Sequence, residues 1–468
     1  MDKAPLTKSR FYALLIACGV LLSTMDSSMV NVALPEIMRS FEVGIGEVKL
    51  VVLIYLMVIT FSLVFWGRIG DEFGKGRVYI TGMVVFACGA VVCAVSTLFS
   101  LLIIARAVQA VGAAMMMATG PAILKFVSPR EHLGKTLGFV GVATSCGLMT
   151  GPLISGFILS VTSWRGVFLV PVPLAAMAAL LGSLYLLPDL RKREELHHQK
   201  FDWQGGLLWV GFVVAFVLLA NGTLPHWYFN IVMILAIIFL LYLFFKVEKR
   251  AEAPILPLVL VRRRYYWTGV ATAGISFGAL FIVLILLPFY LDYILQYSPR
   301  RIGLVMMALP VSLVVMSPMS GWLYDRLGSA RVISTVGLLI STVAVLCLLL
   351  LDGDSSFFGV CWRLTLLGAG QSVFLSPNSA SVLSKVQDSY AGITSGILAT
   401  ARNFGMLSGT ALAGTTFSLL YGRLTSGKSV LHFTHDYGDA FLFAQRSTLA
   451  IALLLLFCGC LISWSRGR

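Results

Sequence analysis

Gly67-Arg-Ile-Gly-Asp71-Glu-Phe-Gly74-Lys-Gly-Arg77 and Gly321-Trp-Leu-Tyr-Asp325-Arg-Leu-Gly328-Ser-Ala-Arg331 share one spacing of glycine, aspartate, glycine and arginine. Each lies between two long apolar runs, so the chain reads as two related halves built around the same connection. A second pair of positions agrees: Arg106 and Arg363 each sit in an apolar segment that runs on to a proline, Pro121 and Pro377. The offsets within the two pairs, 254 and 257 residues, nearly coincide. Parallel repeats of this kind place a solute path between two helical bundles in many secondary transporters.

The chain has 468 residues, 58% of them hydrophobic and only 12% charged, with a mean hydropathy of +0.90. Most of it has no means of hiding its apolar surface in water and belongs in a bilayer. Runs of about 20 apolar residues read as spanning helices. They fall near 11–33, 48–66, 78–97, 98–124, 134–160, 167–188, 203–221, 227–245, 267–290, 302–323, 331–351, 357–384, 391–420 and 440–464, an expected fourteen. Six spans need about 180 residues, whereas the repeat offset is about 255, so the spans at 203–221 and 227–245 read as an insert. The expected domains are 1–188, a first six-helix bundle; 189–266, a linker with two inserted helices; and 267–468, a second six-helix bundle.

The net charge of +14 is distributed unevenly. Lys3, Lys8, Arg10, Arg68, Lys75, Arg77, the basic run 190–200 and the stretch 246–264 share one side of this topology. The other side holds Arg39, Lys49, Arg165, Arg300, Arg301, Arg423 and Lys428. The positive-inside rule then puts both termini in the cytoplasm. Charge here reports topology, which argues against nucleic acid as a partner. All eight cysteines fall inside predicted spans as small apolar residues, and all six histidines fall in connections, so no disulfide framework or metal set is expected. Phosphate loops and serine nucleophile elbows are missing from the sequence, which disfavours ATP-driven transport and enzymatic activity.

Four further stretches carry a resemblance. Met25-Asp-Ser-Ser-Met-Val-Asn-Val-Ala-Leu-Pro35 resembles the first-helix motif of the fourteen-span drug/proton antiporter branch of the major facilitator superfamily. Gly67 to Arg77 resembles that superfamily's signature connection between helices two and three. Leu102-x-x-x-Arg106-x-x-Gln109-Ala-x-Gly112 is similar to its fourth-helix motif, with Ala110 where glycine is usual. Gly138-x8-Gly147-x3-Gly151-Pro152-x2-Ser155-Gly156 is similar to the antiporter motif of the fifth helix, with Ser155 in place of a glycine. The four occur in the family's order and extend the resemblance over the whole chain. It implies an all-α membrane protein of the major facilitator fold, two six-helix bundles plus two inserted helices. It also implies proton-driven export of lipophilic, cationic small molecules from a bacterial inner membrane, with a monomer working on the proton gradient and no cofactor. Nothing in the sequence calls for a periplasmic adaptor. A proton-coupled carrier for one metabolite, peptide or lipid remains the alternative.

Asp26 is the one carboxylate placed well inside a predicted span, and an intramembrane acid is functional by default because its burial is costly. It lies seven residues from the outer end of its span, about 10 Å, and Arg106 lies eight residues from the outer end of its own, about 12 Å. The two are expected at one depth, with Gln109 lengthening the same polar face one turn on. Loss of hydration favours a neutral acid and a guanidinium favours a carboxylate, so an acid between these influences is switchable. The repeat acts as a control: position 26 maps onto Phe281, in an unbroken apolar stretch. Scaffold features repeat and Asp26 does not. Two readings stand: a proton-coupling pair, Asp26 with Arg106, or a permanent ion pair that pins two helices.

Gly67, Asp71, Gly74 and Arg77, with Asp325 and Arg331 in the second half, read as a conformational latch built on a glycine turn. Gly147, Gly151, Pro152 and Gly156 thin one helix so that a neighbour can approach closely, and the resemblance reads them as an exchange signature. Asn31, Tyr55, Gln109, Phe289, Asp292, Asn378, Arg402 and Asn403 are candidates for the substrate path. Asp292, which follows Leu287-Pro-Phe-Tyr-Leu291 where the family carries an amide, is expected at an outer rim near Arg300 and Arg301.

Overall fold

The computed structural model describes residues 6–127, 133–191, 202–220, 227–250, 260, 262–386 and 388–466. His132, His197, His198 and His226 lie outside the described residues, as does the side chain of Asp325. The described residues form helices and no strands, as a chain with so little polar sequence requires. In hydrocarbon each backbone N–H and C=O must be satisfied within its own segment, and a helix does that.

The long elements are α1 Leu6–Phe41, α2 Leu50–Phe73, α3 Lys75–Val95, α4 Phe99–Val127 and α5 Leu133–Val161. Next come α6 Trp164–Leu190, α7 Trp203–Ala220 and α8 Trp227–Glu248. The remainder are α9 Arg264–Phe289, α10 Ala308–Leu327, α11 Ala330–Leu349, α12 Phe357–Ser384, α13 Asp388–Leu424 and α14 Gly438–Trp464. Among the described residues, 12 helices are long and apolar enough to cross a membrane. At 36 residues α1 is about 54 Å long, well beyond a hydrocarbon core of about 30 Å, so its ends stand clear of the apolar layer. Hydropathy registers only the middle of such a helix. α6 is interrupted, with Pro171 starting a new helical stretch and a π-helical turn at Gly182–Leu186.

Packing repeats along with the sequence. α1 lies against α5 and α9 against α13; α3 lies against α4 and α11 against α12; α2 lies against α4 and α10 against α12. Glycines allow the closest of these approaches. Gly112 faces the backbone of Gly82 and Phe86, and Gly337 faces that of Gly370 and Phe374, so the same small-residue crossing serves both halves.

The expected glycine turn is shorter than the motif that announces it. α2 runs unbroken through Gly67, Gly70 and Asp71 to Phe73, and only Gly74 leaves the helix, at φ 97°. Its counterpart Gly328 sits at φ 63° after α10, which runs through Gly321 to Leu327. Both are conformations that glycine adopts without a Cβ penalty. The earlier glycines stay helical because they lie where the apolar run still demands internal hydrogen bonding.

The two halves touch at the end that carries the α1–α2 connection. There Arg39 pairs with Asp292, Gly46 stands against Ser418, and Lys49 reaches α13. α5 meets the short helix Pro299–Met306. At the opposite end, a Cβ added at Gly67 or at Gly321 would meet nothing within 4 Å. α7 packs on both α2 and α13, and α8 packs on α7 with 6% of its span buried, so α8 faces lipid.

Candidate functional site

Asp26, Arg106 and Gln109 meet inside the first half as a closed polar cluster. Arg106 Nη1 donates to Asp26 Oδ2 at 2.7 Å and to Gln109 Oε1 at 2.7 Å. Gln109 Nε2 donates to Asp26 Oδ1 at 2.9 Å, so each carboxylate oxygen has its own donor. The sequence dictates this geometry: α1 and α4 carry their charges at matching depth, and Arg106 and Gln109 lie one turn apart on the same face of α4. Asp26 is 1% exposed and the other two are fully buried.

The surroundings are built for the arginine. Its Nε donates to Val51 O on α2 at 3.1 Å, and its Cζ lies 4.2 Å from the Tyr55 ring centroid and 5.5 Å from that of Phe168. A guanidinium stacked on aromatic faces keeps part of its stabilisation without water. Tyr55 is itself fixed by a 3.0 Å hydrogen bond with Ser23 Oγ. Cys93 on α3 offers its thiol to Gln109 Oε1 at 3.8 Å. Arg106 Nη2 has no hydrogen-bond partner among the described residues.

In the second half, Phe281 stands at the position of the acid, 5% exposed within the apolar core. Arg363 is spent on its own helix, donating to Gly359 O at 2.8 Å beside the Trp362 ring. One link between α9 and α12 is neutral: Ser276 Oγ donates to Gln371 Oε1 at 2.8 Å, and Gln371 Nε2 donates to Ser276 O at 3.2 Å. The two halves therefore share a frame and differ in charge.

The antiporter-motif residues divide between two neighbours. Gly147 and Gly151 lie against α1, where an added Cβ would collide with Thr24 and with Ser28, and Ser155 Oγ donates to Met29 O at 2.9 Å. Gly156 faces the other half instead. A Cβ there would stand 2.7 Å from Pro299 O and 3.0 Å from Gly303 Cα. Along the latch sequence, Asp71 pairs with Lys75 at 2.5 Å, Arg77 is exposed, and the Arg331 guanidinium lies 4.3 Å from the Trp464 ring centroid.

The remaining path candidates are scattered. Asn31 is buried with its Oδ1 unpartnered among the described residues. Phe289 and Asn403 are buried, and Arg402 Nε donates to Leu398 O of its own helix at 3.2 Å. Asn378 Nδ2 donates to Gly269 O at 3.0 Å while its Oδ1 accepts from Arg466 near the chain's end. Asp292 lies with Arg39, at 2.9 Å, rather than with Arg300 or Arg301, because α9 ends against α1 and Arg301 stacks instead on Tyr297 at 3.9 Å. Lys49, expected in an outer connection, is 1% exposed at the start of α2. Sequence reading missed it because a lysine at the very end of a predicted span ordinarily snorkels to water.

The chain matches the family model described as Major Facilitator Superfamily over residues 16–410. It is 30% identical to the riboflavin transporter RibZ of Clostridioides difficile, over 97% of each chain. It is 29% identical to the multidrug resistance protein Stp of Mycobacterium tuberculosis, over 86% of this chain and 74% of that one. In fold it is similar to a bacterial homologue of the human lysosomal transporter Spinster, solved in an inward-facing and occupied conformation. That likeness has a TM-score of 0.70 and 13% identity, and covers 98% of this chain and 97% of the other. Repeated packing, an all-helical membrane architecture and the family match lead to one conclusion: the chain belongs to the Major Facilitator Superfamily, whose members are transporters and not enzymes.

Proposed function

We propose that this protein is a fourteen-span proton-coupled antiporter that exports lipophilic small molecules, cations among them, from the bacterial cytoplasm by alternating access. The observation that carries the reading is the buried Asp26–Arg106–Gln109 cluster, placed in one half only. A carboxylate whose two oxygens are held by separate donors is released only when α1 and α4 shift relative to each other. Proton uptake is thereby tied to a change of shape. Asp26 takes the proton on the outer side and gives it up inside, Arg106 and Gln109 hold the ionised form, and Gly67, Asp71, Gly74, Arg77, Asp325 and Arg331 form the latch.

Under this reading α5 and α13 join the 12 apolar spans to make fourteen. The first bundle is 1–188, the insert 189–266 and the second bundle 267–468. Both termini are cytoplasmic, the working unit is a monomer in the inner membrane, and the proton gradient is the energy source. The end where Arg39 meets Asp292 is then the outer end, closed here. Gly147, Gly151, Pro152 and Gly156 hold that closure tight, Pro152 and Gly156 being the two that face Gly303 of the second half. Asn31, Tyr55, Phe289, Asp292, Asn378, Arg402 and Asn403 are the candidates for contact with the solute.

A second reading is a carrier for one metabolite. The similarity to a riboflavin transporter over 97% of both chains favours it. The experiment is efflux of a fluorescent lipophilic cation from loaded vesicles, with and without a pH gradient, for the wild type and for Asp26→Asn. Gradient-driven efflux lost in the variant supports antiport. Efflux driven by ATP without a gradient, or transport confined to riboflavin, refutes it.

A further inference from the structure

We propose that Lys49 is the clasp of the gate at the α1–α2 end, and that α7 is a strap laid over the seam between the halves and fastened to the same clasp. Lys49 is 1% exposed. Its Nζ donates to Thr415 Oγ1 and, at 3.4 Å, to Ala411 O, both on α13 of the second half. Its stem runs along Gly414, where any Cβ would strike Lys49 carbons, and nearby Gly46 stands against Ser418. Thr415 Oγ1 in turn donates at 2.7 Å to Ala220 O, the last residue of α7. First half, second half and insert are thus linked in one chain of contacts, Lys49 to Thr415 to Ala220.

The chemistry suits a clasp that opens. In the closed gate the ammonium holds two acceptors across the seam, and a methionine of similar length would hold neither. When the halves separate, water replaces both acceptors, and an ammonium is strongly hydrated, so release is compensated.

α7 follows the seam along its length. On the α2 side Trp203 packs against Phe65 at 6.0 Å, and Trp209 Nε1 donates to Thr60 O at 3.3 Å. On the α13 side Phe212 and Phe216 lie 5.6 and 4.8 Å from the Phe404 ring. An element in contact with both halves covers the lateral gap that their rocking would open to lipid, which gives the insert a mechanical task.

The test is a distance measurement on the full chain in liposomes. Spin labels go on Glu42→Cys and Arg423→Cys, both exposed at this end, with exposed Cys88 and Cys458 replaced by alanine. Lys49→Met is expected to lower the ratio of short to long distances roughly tenfold, the size set by one hydrogen bond to a charged group. Thr415→Val should shift it the same way, and the double variant no further than the larger single effect, because one clasp is being broken. Phe404→Ala should also favour the long distance. If Lys49→Met misfolds, Thr415→Val still reads the clasp. Unchanged distances in Lys49→Met or in Thr415→Val would overturn the clasp, and unchanged distances in Phe404→Ala would overturn the strap. The inference rests on alternating access but not on protons or on any particular solute. No gradient is applied, so failed antiport in the vesicle assay and a failed clasp are separate results.

Discussion

Replacing Asp26 by Asn keeps the side chain's shape and removes its charge, and the geometry of the cluster dictates the outcome. Three hydrogen bonds close the triangle: Arg106 to Asp26, Arg106 to Gln109, and Gln109 to Asp26. An amide at position 26 has one acceptor and one donor. If its oxygen faces Arg106, Gln109 must flip and turn its own NH2 toward the guanidinium. If its oxygen faces Gln109, its NH2 confronts Arg106 instead. Either way one of the three bonds is lost, and Arg106, fully buried, loses the anion it pairs with. Breaking a buried pair from one side typically costs about 3–5 kcal/mol, so Asp26→Asn should lower the thermal midpoint in detergent. Gradient-driven efflux should fall to the level of empty vesicles. Arg106→Gln on top of Asp26→Asn removes the stranded cation and should recover much of the thermal stability while efflux stays at background. That split separates a proton site from a structural pin, since a pin replaced by a neutral pair would recover both. Undiminished gradient-driven efflux in Asp26→Asn would remove the acid from the mechanism.

Gln109→Leu deprives the Asp26 carboxylate and the Arg106 guanidinium of one partner each; at about 1.5–3 kcal/mol for a bond to a charged group, a reduced thermal midpoint and weakened efflux are expected. Gly156→Ala drives a methyl into Pro299 O and Gly303 Cα and should block transport by holding the two halves apart, read as loss of efflux with normal membrane insertion. Gly67→Ala meets open space and should leave insertion and thermal stability unchanged. Arg39→Gln should alter efflux by no more than a few fold, because Arg39 is 43% exposed and a screened pair contributes about 0–1 kcal/mol; exchanging the charges, Arg39→Asp with Asp292→Arg, should restore it.

Much of this architecture is legible in the chain because membrane helices leave the sequence few alternatives. Apolar runs gave the long elements, and the repeated Gly-x-x-x-Asp spacing gave the doubled frame, since both are imposed locally by hydrocarbon and by turn geometry. The approach of Asp26 to Arg106 was readable as well, because depth along a helix follows from residue counting. Counting does not give azimuth, so Lys49 read as an outer-loop lysine, and Asp292 was assigned neighbours in its own half. Arg39 and Asp292 are 253 residues apart in sequence, and only the docking of two bundles brings them together. The role of Gly156 was hidden for the same reason: a glycine that thins a helix does not say which neighbour comes close.

The placement of a buried acid–guanidinium pair in the first half has an electrical consequence. With Asp26 ionised, the pair it forms with Arg106 sums to zero, so a rocking first half moves no net charge through the transmembrane field on that leg. With Asp26 protonated, the guanidinium travels alone, and a potential of 100 mV acts on one full elementary charge with about 2.3 kcal/mol, scaled by the fraction of the field it crosses. In the second half Phe281 stands where the first half has its acid, so that position supplies no matching pair to offset it. Membrane voltage should therefore slow or speed the leg on which Asp26 is protonated and leave the other indifferent.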